Sequence, residues 1–101
     1  MLYTAGQIGI DPATNAIVDG LEAQVTRALE NVRAILDAAG LEIADLVKVT
    51  FYLTDISTFG AANAIYERFL GSHRPARSTV GVATLPAGAL FEVDAIAAAR
   101  Q

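Results

Sequence analysis

Between Gly20 and Ala39 the chain carries a pattern that restricts it to a small set of layered folds. Leu21, Val25, Ala28, Leu29, Val32, Ile35, Leu36 and Ala39 recur at helical spacing, while Glu22, Arg27, Glu30, Arg33 and Asp37 take other directions. That spacing predicts one amphipathic helix over residues 20–39. Asp19 is placed to cap it, with Glu22 three residues on able to reach back to the Asp19 amide, and Gly40 suits a left-handed C-cap. So long an apolar stripe needs a partner layer. The next segment supplies one: Leu46-Val47-Lys48-Val49-Thr50-Phe51-Tyr52-Leu53-Thr54 is rich in β-branched and aromatic residues and alternates with the period of a strand. Val47, Val49, Phe51 and Leu53 are predicted to lie under a helix. Lys48, Thr50, Tyr52 and Thr54 form the opposite face, too aromatic for a wet surface and too polar for a dry core, which suits an interface between subunits.

The remaining segments repeat the alternation. Leu2 to Ile10 reads as a strand interrupted at Gly6 and Gly9, Asp11 to Asn15 as a turn, and Ile17-Val18 as a short return. Asp55 or Ser57 starts a second helix that carries Phe59, Ala62, Asn63, Tyr66, Phe69 and Leu70 on one side and ends at Gly71-Ser72. Pro75 to Val82 and Leu90 to Ile96, joined through Leu85-Pro86-Ala87-Gly88, read as neighbouring antiparallel strands. The sum is a two-layer α+β domain spanning residues 1–101, with helices covering one sheet face.

Composition narrows the function classes. A hydrophobic content of 53% is high for 101 residues and points to apolar surface buried against other subunits. A net charge of −4 disfavours nucleic acid as a partner, because phosphate binding works through clustered Lys and Arg. The absence of cysteine removes disulfides, thiolate nucleophiles and Cys-ligated metals, and fits a cytoplasmic setting. One histidine, His73, rules out a His-rich metal site within a subunit. No apolar run approaches the roughly 20 residues of a membrane helix, and the first residues lack a signal-peptide pattern. A soluble chain with no membrane partner is expected.

Few residues are suited to chemistry. Arg77, just inside a strand and beside apolar residues, is a candidate anchor for a small carboxylate, since its fork grips carboxylates bidentately; the alternative is an ion pair with Glu92 or Asp94. Glu92 and Asp94 share a strand face, where one is able to orient water or relay a proton, or both lie on a wet face or an interface rim. Asn63 fits a backbone or cap hydrogen bond better than ligand contact, and His73 reads as a loop residue. Gly6-Gln7-Ile8-Gly9 is no phosphate loop, and no Ser-His-Asp arrangement is supported by spacing.

Taken in order, Tyr3-Thr4-Ala5-Gly6-Gln7-Ile8, Asn31 to Leu41, Val47 to Asp55, Asn63-Ala64-Ile65-Tyr66-Glu67-Arg68-Phe69, Pro75-Ala76-Arg77-Ser78 and Glu92 to Ala97 resemble the reactive-intermediate deaminase (Rid, YjgF-like) family, whose members were formerly described as translation initiation inhibitors. The resemblance covers nearly the whole chain. It implies a chorismate-mutase-like fold assembled as a homotrimer, with the sheets forming a barrel and clefts between subunits. It also implies hydrolysis of 2-iminobutanoate or 2-iminopropanoate to 2-oxo acid and ammonia without cofactor or metal. Under it Arg77 holds the substrate carboxylate, Glu92 positions water, backbone groups around Thr79 and Gly6 contact substrate, and Asn63 lies near the cleft. A non-enzymatic member that binds a small carboxylate or a protein partner is the alternative. Ala5 stands where the family commonly has serine, and the His73-Arg74 connection is shorter than in the deaminases. Upstream of the matched region, family members carry a Gly-Pro-Tyr-Ser-Gln-like segment whose tyrosine borders the site.

Overall fold

The computed structural model describes residues 1–99. The long amphipathic pattern forms helix α1, Leu21–Ala38, with Val25, Ala28, Leu29, Val32 and Leu36 buried. Its end follows the glycine signal: Gly40 has φ +72°, its N–H donates to Asp37 O at 3.1 Å, and Leu41 N–H donates to Leu36 O at 2.8 Å. These paired bonds form a Schellman closure. Its start differs from the expected cap. Gly20, at φ 91°, occupies the N-cap and no side chain caps the helix, so Asp19 and Glu22 do not form a capping box.

The sheet is built on β5, Leu46–Leu53, and β7, Phe91–Ala97, which pair antiparallel with Phe51 opposite Val93 and Leu53 opposite Phe91. β6, Ala76–Gly81, runs parallel to β5 on its other side, with Val49 in register with Arg77 and Phe51 with Thr79. β6 and β7 are therefore not neighbours, which corrects the expectation from their short connection. β5, the second helix and β6 make a crossover unit that seats β6 beside β5 in parallel, and β7 takes the vacant edge. The connection spans the end of β5, where Val82 N–H donates to Leu53 O at 2.9 Å and Thr54 N–H to Leu90 O at 3.3 Å.

The N-terminal segment is three short pieces rather than one strand. β1 (Leu2–Tyr3) and β2 (Gln7–Ile8) both pair with β7, while β3 (Ile10–Asp11) turns through an Asx bend, Ala13 N–H to Asp11 Oδ1 at 2.8 Å, and pairs with β4 (Ala16–Ile17). Asn31 of α1 pins the break by donating to Ile8 O and Ile10 O at 3.3 and 3.0 Å.

Helix α2, Phe59–Leu70, follows a single 3-10 turn, Ile56–Thr58, that Asp55 caps through its side chain. Both helices pack on the sheet face made by Val49, Phe51, Leu53, Phe91, Val93 and Ala95, together with Ala62, Ile65, Tyr66 and Leu70. Within that core Phe51 meets Tyr66 and Phe91 edge to face, at 4.8 and 5.0 Å between centroids. Val47 is a correction: a register shift between Leu46 and Lys48 leaves Val47 46% exposed and gives its inward place to Leu46. The opposite sheet face, with Lys48, Thr50, Tyr52, Ser78, Val80, Glu92 and Asp94, carries no helix. On it Tyr52 OH donates to Asp94 Oδ2, and Lys48 Nζ to Ser78 Oγ, both at 2.8 Å.

Candidate active site

Arg77 lies on edge strand β6 with its side chain on the helical face, because it shares register with buried Val49. Its guanidinium carbon stands 4.8 Å from the ring centre of Phe59, 5.3 Å from Tyr66 and 5.4 Å from Phe51. Nη1 donates to Asn63 Oδ1 at 2.5 Å. A guanidinium resting on aromatic faces and tied by one amide is oriented without being neutralised. Among the described residues no carboxylate is within ion-pair distance of it, so the alternative of an ion pair with Glu92 or Asp94 is not what forms. Asn63 bonds this guanidinium rather than a backbone group or a cap, which corrects its expected role.

The residues around Arg77 shape a cleft of about 290 Å³ lined by Asn63, Tyr66, Glu67, Leu70, Arg74, Pro75 and Arg77. Tyr66 is 3% exposed and its hydroxyl has no hydrogen-bond partner among the described residues. Burial pushes the Tyr66 phenol up from its usual pKa, against the pull of the Arg77 and Arg74 charges. Sequence reading placed Tyr66 on the apolar side of α2 and missed it as a cleft residue; a hydroxyl on an otherwise apolar helix face was the available signal. His73 is also more than a loop residue. Its Nε2 bonds Leu46 O at 2.7 Å and ties the connection before β6 to the start of β5.

Glu92 belongs to a different locality. It is in register with Tyr52 and points to the face without helices, beside Asp94. Gly6 lies against it so closely that a Cβ built on Gly6 would stand 2.1 Å from Glu92 Oε2. Tyr52 feels both acids: the hydrogen bond to Asp94 comes first, then burial and the charges of Asp94 and Glu92, and together they raise its pKa. The structure thus joins Arg77 with Asn63 and, separately, Gly6 with Glu92. Thr79 shares the Arg77 face, two residues along β6. The two groups lie on opposite faces of the sheet with β5 between their strands, so one chain does not bring Arg77 and Glu92 together.

Comparison with known proteins decides the lineage. The family model described as endoribonuclease L-PSP matches residues 1–99. The chain belongs to the RutC/YjgF/Rid family. It is 46% identical over 103 residues to the 2-iminobutanoate/2-iminopropanoate deaminase of Salmonella typhimurium, covering 99% of this chain and 80% of that protein. A RutC family protein of Pyrococcus horikoshii is 46% identical over 97 residues, covering 95% of this chain and 77% of that one. Among solved structures, Escherichia coli TdcF with bound serine superposes with TM-score 0.93 at 40% identity, over 97% of this chain and 80% of TdcF. The Escherichia coli YjgF gene product gives 0.92 at 42% identity, over 97% and 80%. The α+β two-layer architecture, with a mixed sheet and two helices on one face, is thus shared by this Rid-family chain and its relatives.

Proposed function

We propose that this Rid-family chain is a deaminase of small 2-imino acids, releasing 2-oxo acid and ammonia, and that its site is completed between copies of the chain. The observation that carries this is Arg77: an exposed cation held by Asn63 on three aromatic rings, with no acid among the described residues to neutralise it. Such a group fits the carboxylate of a substrate. The 46% identity to a protein named for acting on 2-iminobutanoate and 2-iminopropanoate supports that substrate class.

The iminium carbon is already electrophilic, so the protein has only to orient a water and manage its proton. Arg77 fixes the carboxylate while Glu92 accepts a proton from the attacking water. The new C–O bond forms at C2, the proton returns to nitrogen, the C–N bond breaks, and the hydroxyl proton passes to the departing ammonia as the C=O bond closes. The balance is iminium plus water to ketone plus ammonium. Because Arg77 and Glu92 sit on opposite faces of one sheet, the reaction requires Arg77, Asn63 and Thr79 of one copy to face Gly6 and Glu92 of the next. A homotrimer with the helix-free sheet faces turned inward provides that arrangement, and Val80, 40% exposed on this face, is part of what it would cover. A cytoplasmic location, where dehydratases release such imines, belongs to the same proposal.

The test generates 2-iminopropanoate with a dehydratase in the presence of semicarbazide and follows semicarbazone formation. The expected result is suppression by the wild type and a loss of kcat/KM on the order of a hundredfold in Arg77→Ala, the scale of a lost charge-assisted anchor. Equal behaviour of the two proteins contradicts it. Binding of 2-oxobutanoate without turnover would favour a carboxylate-binding role instead.

A further inference from the structure

We propose that the cleft beside Arg77 holds a second acidic group, so that this chain favours 2-imino acids whose side chain ends in a carboxylate, with Arg74 as the second anchor. This rests on Arg77 being the anchor for the 2-carboxylate.

Arg74 and Arg77 line the same cleft from the two ends of the short segment entering β6. Arg74 is held in place: Nη1 donates to Gly71 O at 2.6 Å and to His73 O at 2.8 Å, at the close of α2. Those bonds use one of its three nitrogens, and the fork formed by the other two remains for a ligand. Among the described residues no carboxylate pairs with it. The segment that carries it is itself fixed, by His73 Nε2 on Leu46 O and by Pro75.

A second observation points to a ligand. Tyr66 lines this cleft, its hydroxyl is sealed from solvent behind that wall with no partner among the described residues, and both guanidinium charges act on it. A buried polar group left unpaired in a native fold calls for an explanation, and a ligand or ligand-bound water between two cations is a fitting one. The volume, about 290 Å³, is at the small end of ligand pockets, which run to roughly 1,000 Å³, and suits a short diacid rather than a nucleotide. Glu67 lines the same cleft and opposes a second anion; it and both arginines are exposed, so solvent screens all three charges alike and the two cations against one acid leave the cleft net positive.

The experiment compares hydrolysis of the imines that an amino-acid oxidase releases from glutamate and from alanine, using the full chain. The expected ratio of kcat/KM, diacid over monoacid, is about ten in the wild type, falls about tenfold in Arg74→Gln, and rises in Glu67→Gln as the opposing charge is removed. A wild-type ratio at or below one overturns the proposal while leaving deamination of the alanine-derived imine intact. An unchanged ratio in Arg74→Gln with a lowered melting temperature also overturns it, marking Arg74 as a support for the end of α2. If the wild type hydrolyses neither imine, the anchor role of Arg77 falls as well.

Discussion

Two glycines in the N-terminal segment separate function from stability at the level of single atoms. At Gly6 an added methyl meets the far end of the Glu92 side chain, which is able to swing away. With Glu92 in its proposed role, Gly6→Ala should therefore lower imine turnover about tenfold or more by misplacing that carboxylate, while the melting temperature changes little. At Gly9 the same methyl would stand 2.6 Å from Gln24 Cα and 2.9 Å from its carbonyl oxygen, on the backbone of α1. Gly9→Ala should cost about 1–3 kcal/mol, read from urea unfolding, because a helix must move. Gln24 is buried there for its own reason, accepting Leu90 N–H at 2.8 Å and so fixing the chain just before β7. At Arg77, lysine keeps the charge but loses the planar fork that stacks on Phe59 and bonds Asn63. Arg77→Lys should retain only a few per cent of wild-type kcat/KM, roughly the loss of one charge-assisted bond.

At the level of elements, the closure of α1 and the hydrogen bond linking β5 to β7 each have a measurable consequence. Gly40 at φ +72° closes α1, and Gly40→Ala should destabilise the fold by about 1 kcal/mol. Tyr52 bonds Asp94 across β5 and β7, and its pKa is raised above that of a free phenol. A raised folded pKa means that the unfolded chain loses this proton first. The contribution is whole below the ordinary phenol pKa, about 10, and is lost as pH climbs through the folded value. Thermal melts from neutral to alkaline pH should fall more steeply in the wild type than in Tyr52→Phe. Parallel slopes would mean that the bond does not couple titration to folding.

The elements themselves were legible because their signals are local: residues 20–39 and 46–54 announce a helix and a strand by periodicity, and the structure ends them within one or two residues of those limits. Pairing was not local. A short turn between β6 and β7 suggested a hairpin, whereas the β5–α2–β6 crossover placed β5 between them. The bulge at Val47 and the glycine at the start of α1 were invisible for a similar reason, since each depends on backbone geometry that periodicity does not encode. At the candidate site, Arg77, Asn63, Gly6 and Glu92 were all named from the sequence, but their division between two sheet faces emerged only with the register.

On the scale of the whole molecule, that division leaves one chain with only half of the proposed site. A sheet with helices on one face and Thr50, Tyr52, Val80, Glu92 and Asp94 on the other leaves a broad surface for another copy. Head-to-tail closure of three copies would place each Arg77 against a neighbouring Glu92, and sedimentation should show a trimer at micromolar concentration. The most direct measurement is complementation: Arg77→Ala and Glu92→Gln are prepared separately, both inactive, then unfolded, mixed in equal amounts and refolded together. If the site is shared between copies, random assembly restores about a quarter of wild-type activity, since one interface in four receives both intact residues. Mixed protein that assembles normally and stays as inactive as either parent would place both residues' work within one chain and contradict the shared site.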